Sequence, residues 1–238
     1  MLGGAYFILI YYLPIWFQAI KAVSATRSGV MNIPLIMAHV IAALLAGILI
    51  TSIGYYTPFM LVSAVLVSIG TGMLTTWHPN TGHAMWIGYQ ACFGLGSGLG
   101  MNQPLMAAQT VLPLDDVSIG TASSIFAQTL GGAVFVSAAE NIFENRLLQD
   151  LRAVVPQLDP KTVLATGATD LRSVVRPALI GAVVEVYNAS LVRAFHLATA
   201  LACLTAVGAL GMEWRSVKEG KRGADNIGHA SQVSCSKQ

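Results

Sequence analysis

The stretch FGLGSGLGMNQPLMAAQTVLP, residues 93–113, decides how the rest of the chain is interpreted. Its four glycines, at every second position from Gly94 to Gly100, first suggest a phosphate-binding loop. A dinucleotide-binding loop, however, follows a strand and needs an acidic residue about 20 positions further on. Here apolar helical sequence lies on both sides, and the first acidic residue, Asp115, comes too early. The stretch therefore indicates a helix rather than a phosphate loop.

On a helix these glycines form two faces of small residues. Gly94 and Gly98 make one GxxxG pattern, and Gly96 and Gly100 make a second. Such patterns let two helix backbones approach closely inside a lipid bilayer. Pro104 removes a backbone hydrogen bond, which a membrane helix tolerates where neighbours or a water-filled cavity satisfy the freed carbonyl. The packing and hinge positions predicted in this way are Gly94, Gly96, Gly98, Gly100 and Pro104, with Gly131 and Gly132 of a later helix.

The composition places the chain in a membrane. Of its 238 residues, 55% are hydrophobic and only 10% are charged, whereas a soluble domain carries about 25% charged residues. The interval between Arg27 and Asp115 contains no Lys, Arg, Asp or Glu, so it cannot form a soluble surface. The net charge of +2 gives no indication of nucleic-acid binding.

Six segments are long and apolar enough to span a bilayer, since a span needs about 20 residues. They are residues 1–20, 28–50, 57–77, 84–110, 118–139 and 191–212. Residues 1–139 would hold five spans, residues 140–190 an extramembrane loop of two amphipathic helices, and residues 191–212 the last span. The polar tail at 213–238 is expected to be disordered. The predicted fold is an all-α polytopic membrane protein.

The basic residues of the tail predict its side of the membrane. Cytoplasmic loops carry an excess of Lys and Arg, and the tail holds Arg215, Lys218, Lys221 and Arg222. We therefore expect a cytoplasmic C-terminus, which with six spans puts the 140–190 loop outside. Lys21 and Arg27 would then lie outside, against the rule, and we give the tail more weight.

A few uncharged polar side chains lie within the predicted spans. Asn32 and His39 share one face of the second span, Gln103 lies in the fourth and Gln128 in the fifth. An amide in hydrocarbon needs a partner, so we expect these groups to face the bundle interior. Gln103 and Gln128 either line a polar path or join helices by hydrogen bonds. His39 is either a neutral core histidine or a group that handles substrate or protons.

Aromatic side chains offer two interpretations as well. Tyr12 and Trp16 form either an interfacial belt or the wall of an apolar pocket, and Phe126 is a further candidate for contact with a hydrophobic substrate. Catalytic patterns are absent from the sequence: it has no nucleophile elbow, no HExxH and no pair of carboxylates within a span. Its three cysteines fit neither a zinc site nor a disulfide framework. We therefore expect no enzyme, no cofactor and no metal.

Four sequence motifs resemble one transporter family. They are YYLPIWFQAIKAVSATRSGV at 11–30, ITSIGYYTP at 50–58, GLGSGLGMNQPLMAAQTVLPLDD at 94–116 and GTASSIFAQTLGGAVF at 120–135. They resemble the major facilitator superfamily, in particular the fungal fourteen-span drug:proton antiporters, which include toxin efflux pumps. The resemblance implies the C-terminal six-helix half of such a transporter. The missing N-terminal half would carry the antiporter motif and the acidic residues of proton coupling.

The resemblance also implies a function. The expected activity is export of small hydrophobic or amphipathic molecules by proton-coupled antiport and alternating access, with Asn32, His39, Gln103 and Gln128 facing the cavity. The implied partners are the lipid bilayer, the substrate, the proton and the missing half. The expected location is the plasma membrane or, as the alternative, the vacuolar membrane. The alternative function is a truncated, non-transporting membrane interaction protein.

Overall fold

The computed structural model describes residues 1–168 and 171–211, and every secondary-structure element in this part of the chain is helical. This confirms the all-α prediction. The helices are α1 (Leu2–Lys21), α2 (Ala25–Met31), α3 (Ile33–Ile53), α4 (Thr57–Leu74), α5 (His83–Gly100), α6 (Gln103–Val111), α7 (Leu114–Val154), α8 (Pro160–Thr166), α9 (Leu171–Val174), a 3₁₀ turn (Pro177–Leu179) and α10 (Ile180–Leu210). The tail predicted at 213–238 lies outside the described residues.

Within the described part of the chain, five helical segments are long and apolar enough to cross a membrane. They are Leu2–Lys21, Ala25–Ile53, Thr57–Leu74, Asp115–Val154 and Pro177–Leu210. The fourth predicted span, at 84–110, is also helical, but its glycines and polar side chains make it less apolar than these five. Because α5 packs between α3 and α4, protein covers it on two sides and it needs less apolar surface.

The segment predicted as the fourth span is split into α5 and α6 at Met101 and Asn102. Pro104 lies in the first turn of α6, where a backbone N–H has no helical partner in any case. The side-chain amide of Gln103 donates a hydrogen bond of 2.7 Å to the carbonyl oxygen of Leu99, near the end of α5. This bond connects the start of α6 to the end of α5 across the break.

The limits predicted for the 140–190 loop fall inside two long helices. α7 continues for 41 residues to Val154, and α10 begins at Ile180, before the expected start of the last span. The cause in α7 is unbroken helical spacing, since Phe143, Leu147 and Leu151 recur every four residues and are buried. The first expected surface helix is thus the end of α7, and the second is divided between α9, the 3₁₀ turn and the start of α10.

Two glycines of α5 bring its backbone against α3. A Cβ atom on Gly94 would overlap the carbonyl oxygen of Leu35, and one on Gly98 would overlap the carbonyl oxygen of His39. Any side chain at either position would therefore push the two helices apart. The contact advances by four residues on each helix, so α3 and α5 run in the same direction at this interface.

The opposite face of α5 packs in the same way against α4. A Cβ on Gly96 would lie 2.7 Å from the backbone nitrogen of Val67. The hydroxyl of Ser63 donates a hydrogen bond of 2.6 Å to the carbonyl oxygen of Gly96. Gly70 of α4 makes the same kind of close contact with α5, since a Cβ there would lie 2.7 Å from the Cα of Phe93. The two glycine faces thus fix α5 between α3 and α4.

At the other side of the bundle, Asn188 of α10 bonds to α1 and to the turn after α4. The indole nitrogen of Trp16 in α1 donates 2.7 Å to the Asn188 side-chain oxygen, and the Asn188 amide nitrogen donates 3.0 Å to the carbonyl oxygen of Trp77. All three side chains are buried. The Lys21 ammonium adds bonds of 2.8 Å to two carbonyl oxygens of the α4–α5 loop. These bonds connect α1 and α10 to the turn after α4.

Replacing Asn188 by alanine is expected to destabilise the bundle by about 2 kcal/mol, because it leaves the Trp16 N–H and the Trp77 carbonyl buried without a partner. Thermal unfolding of the purified chain in detergent would measure the loss. Asn141→Ala is the matched control, since Asn141 is exposed and bonds only within its own helix, to the carbonyl oxygen of Ser137. Equal losses for the two variants would contradict this role of Asn188.

Candidate functional site

His39 lies partway along α3 and contacts both α5 and α1. Its Nδ1 is 3.0 Å from the hydroxyl oxygen of Ser97, and this hydroxyl donates 3.1 Å to the carbonyl oxygen of Gly94. The Ser97 hydroxyl thus contacts both the imidazole and this carbonyl, and Nε2 takes no part in the contact. The ring of Tyr6 lies 5.0 Å from the imidazole, between centroids. His39 can thus offer Nε2 to a hydrogen-bond donor or to a proton.

A cavity of about 400 Å³ lies between α1, α4, α7, α10 and the break between α5 and α6. Its polar groups come from Ser124, Gln128 and Thr205. Both hydroxyls donate to carbonyl oxygens of their own helices, whereas Gln128 makes no hydrogen bond to another described residue. Gln128 is therefore the cavity's most available polar group.

A larger groove of about 640 Å³ runs between α1 and α7. Its lining is mostly apolar, and its polar groups are the side chains of Tyr11, Thr129 and Ser137. Gly132 is part of its lining, and a Cβ there would overlap the ring of Phe7. A groove with apolar walls and a few hydroxyl groups suits a hydrophobic or amphipathic molecule.

The structure does not bring the four predicted polar residues together. Asn32 is buried at the α2–α3 junction, and its side-chain oxygen has no partner among the described residues. Gln103 is buried at the start of α6, where its amide nitrogen donates to the carbonyl oxygen of Leu99 and its amide oxygen has no partner among the described residues. His39 and Gln128 are half-buried on different helices. Of the four, only Gln128 lines the cavity, and none of them is among the described residues that line the groove.

The aromatic candidates also lie in different surroundings. Trp16 and Tyr12 are buried in the core, next to Trp77 and Phe143 respectively, and line neither opening. Phe126, in contrast, is 67% exposed on α7. Tyr11, the neighbour of Tyr12, lines the groove instead. The burial of one face of α1 against α7 and α10 explains why adjacent tyrosines differ.

One buried polar residue, Gln90, was not among the predicted site residues. Gln90 is fully buried in α5, and neither its amide nitrogen nor its amide oxygen has a partner among residues 1–168 and 171–211. Its spacing of four to Gly94 and seven to Ser97 puts it on the face of α5 that meets α3. The register of that contact places Gln90 level with Met31, beside Asn32. This spacing was the signal that could have identified it.

Among the packing glycines, Gly131 differs from the rest. A Cβ on Gly131 would meet nothing within 4 Å, so close packing does not require a glycine there. Gly3 and Gly4 of α1 instead carry the α1–α7 contact, against Gln128 and Phe135. A Cβ on Gly3 would lie 2.9 Å from the Gln128 side chain, which fixes that side chain at the edge of the cavity.

No family model matches the chain, but several curated proteins are similar over almost its whole length. It is 50% identical over 217 residues to the MFS-type efflux pump MFS1 of Trichophyton rubrum, covering 91% of the chain and 40% of that protein. It is 49% identical over 225 residues to the efflux pump roqT of Penicillium rubens, with coverages of 94% and 42%. It is 47% identical over 224 residues to an aspyridones efflux protein of Neocamarosporium betae, with coverages of 94% and 40%.

These relatives are efflux pumps by name and not enzymes, as the sequence predicted. The chain spans about 40% of the length of the curated relatives it matches. Identity near 50% over nine-tenths of a chain of this length reflects common descent, and it confirms the resemblance based on the motifs. The chain therefore belongs to the major facilitator superfamily, in the group that contains these fungal efflux pumps.

Proposed function

We propose that this chain forms one wall of a transporter that exports small hydrophobic or amphipathic molecules. The observation that carries the proposal is the identity of about 50% to named efflux pumps over nine-tenths of the chain. The groove between α1 and α7 supports it, because its apolar walls and hydroxyl groups suit such molecules. Substrate would contact Tyr11 in the groove and Gln128 in the cavity, which Met1 also lines.

The remaining wall would come from the part of the relatives that this chain does not match. The segments containing α3 and α7 support this arrangement. In their most apolar stretches of 18 residues, only 22% and 6% of the residues are buried. α3 exposes Ile36, Val40 and Leu44 on one side, and α7 exposes Ile125 and Phe126. We propose that α3 and α7 pack against the missing half, and that the two halves rock about a site between them.

Proton coupling would need groups from both halves. The spans between Arg27 and Asp115 hold no carboxylate, so the acidic residues would come from the missing half. Within these spans, His39 is the group that could take a proton, because its Nε2 is not committed to the bond with Ser97. The proposed location is the plasma membrane or the vacuolar membrane, with the C-terminus in the cytoplasm.

A chimera tests the proposed function. This chain would replace the matching part of a full-length relative, expressed in cells that lack their own pumps. The chimera is expected to export a hydrophobic dye, because half of the residues are already identical, and a protonophore is expected to stop that export. Dye retention by flow cytometry measures both. A chimera that reaches the membrane folded but exports nothing would contradict the proposal.

In the same chimera, Gln128→Ala is expected to reduce export about fivefold, since one hydrogen bond contributes roughly 1 kcal/mol. Gln109→Ala is the matched control, because Gln109 is exposed on α6 and lines neither the cavity nor the groove. Initial export rates at equal surface expression provide the comparison. If both variants export alike, Gln128 does not contact the substrate.

A further inference from the structure

A polar pocket lies between α7 and α10, away from the groove and the cavity described above. Its volume is about 430 Å³. It is lined by Asn141, Ile142, Asn145, Arg146 and Gln149 of α7 and by Arg193 of α10. Two helices thus contribute one arginine each to the same pocket, and the export mechanism proposed above uses neither of them.

The pocket carries positive charge that the described residues do not neutralise. None of the described residues that line it is acidic. Arg146 and Arg193 are exposed, and neither forms an ion pair with a residue in 1–168 or 171–211. The carboxylates on this stretch of α7, those of Glu140, Glu144 and Asp150, are not among the described residues that line the pocket. The two guanidinium groups are therefore free to bind an anion.

The chemistry of the lining fits a phosphate group. Guanidinium groups bind phosphate through two parallel N–H bonds, more strongly than neutral donors do. The side-chain amides of Asn145 and Gln149 add neutral donors on the same face of α7, four residues apart. Ile142 gives the pocket one apolar side chain, which suits a ligand that also has a hydrocarbon part.

The pocket lies where the apolar runs of both helices stop. In α7 the uncharged run ends at Ala139, directly before Glu140, and in α10 it begins at Ala194, directly after Arg193. Such limits mark the level of the lipid headgroups. Below this level both helices expose apolar side chains, including Val134 and Leu204, along which acyl chains can lie.

We propose that this pocket binds the phosphate of an anionic phospholipid, with Arg146 and Arg193 holding the phosphate and the acyl chains lying against the exposed helix surface. Basic pockets between transmembrane helices are known to bind anionic headgroups, and with the C-terminus in the cytoplasm this pocket would lie at the outer ends of α7 and α10. The site is independent of the proposed transport function, because it needs only α7 and α10.

The test uses the whole purified chain in nanodiscs. Retention of fluorescent phosphatidylglycerol would be measured against a background of phosphatidylcholine, for the chain and for the Arg146→Gln, Arg193→Gln double variant. The apparent affinity is expected to fall at least about tenfold, because two charge-assisted contacts are lost. An Arg146→Lys, Arg193→Lys variant is expected to recover part of the affinity. Arg27→Gln with Arg152→Gln is the matched control, since both arginines are exposed and outside the pocket.

A second experiment tests whether the ligand is a lipid or a free anion. Inorganic phosphate would compete with the fluorescent lipid, and only weak competition at millimolar concentration is expected if the acyl chains contribute. Thermal unfolding of each variant checks that the fold is intact. Equal lipid affinity in the double variant and its control would overturn the proposal, and so would displacement of the lipid by micromolar phosphate.

Discussion

The close contact of three helix backbones at α3, α5 and α4 is the constraint on which the rest of the bundle depends. Carbonyl oxygens of α3 lie where side chains of α5 would otherwise begin, at Gly94 and Gly98. Gly96 meets α4 in the same way on the opposite face. In a bilayer the hydrophobic effect does not hold helices together, so contacts of this kind, with interhelical hydrogen bonds, supply the stabilisation.

This constraint also positions the polar groups. Because α3 and α5 touch through their backbones, the imidazole of His39 reaches Ser97 directly, at 3.0 Å. At the far side, the Trp16–Asn188–Trp77 bonds hold α1 and α10 against the turn after α4. α1 is thereby fixed with one face buried and the other open to the groove. The Trp16–Asn188–Trp77 bonds thus position one wall of the groove, and the close contacts of Gly3 and Gly4 with α7 position the other.

The sequence predicted the features that depend on local spacing. The glycine faces, the bend before Pro104 and the apolar helices were all visible in it, because small residues and prolines act through the backbone. The roles of particular side chains were less predictable. Both sides of α1 are apolar, so spacing alone could not show that Tyr12 is buried while Tyr11 lines the groove. Nor could spacing show that the amide nitrogen of Gln103 bonds to the carbonyl oxygen of Leu99 across the break between α5 and α6.

The most direct test of the backbone contact is the stability of Gly98→Leu compared with Gly88→Leu. Both substitutions place the same side chain on α5, but a Cβ on Gly88 would meet nothing within 4 Å, so differences in helix propensity cancel. Thermal unfolding of the purified chains in one detergent is the measurement. The expected result is that Gly98→Leu is less stable than Gly88→Leu by about 3 kcal/mol, the upper range for an overpacked core. Equal stability of the two variants would show that α3 and α5 do not touch through their backbones.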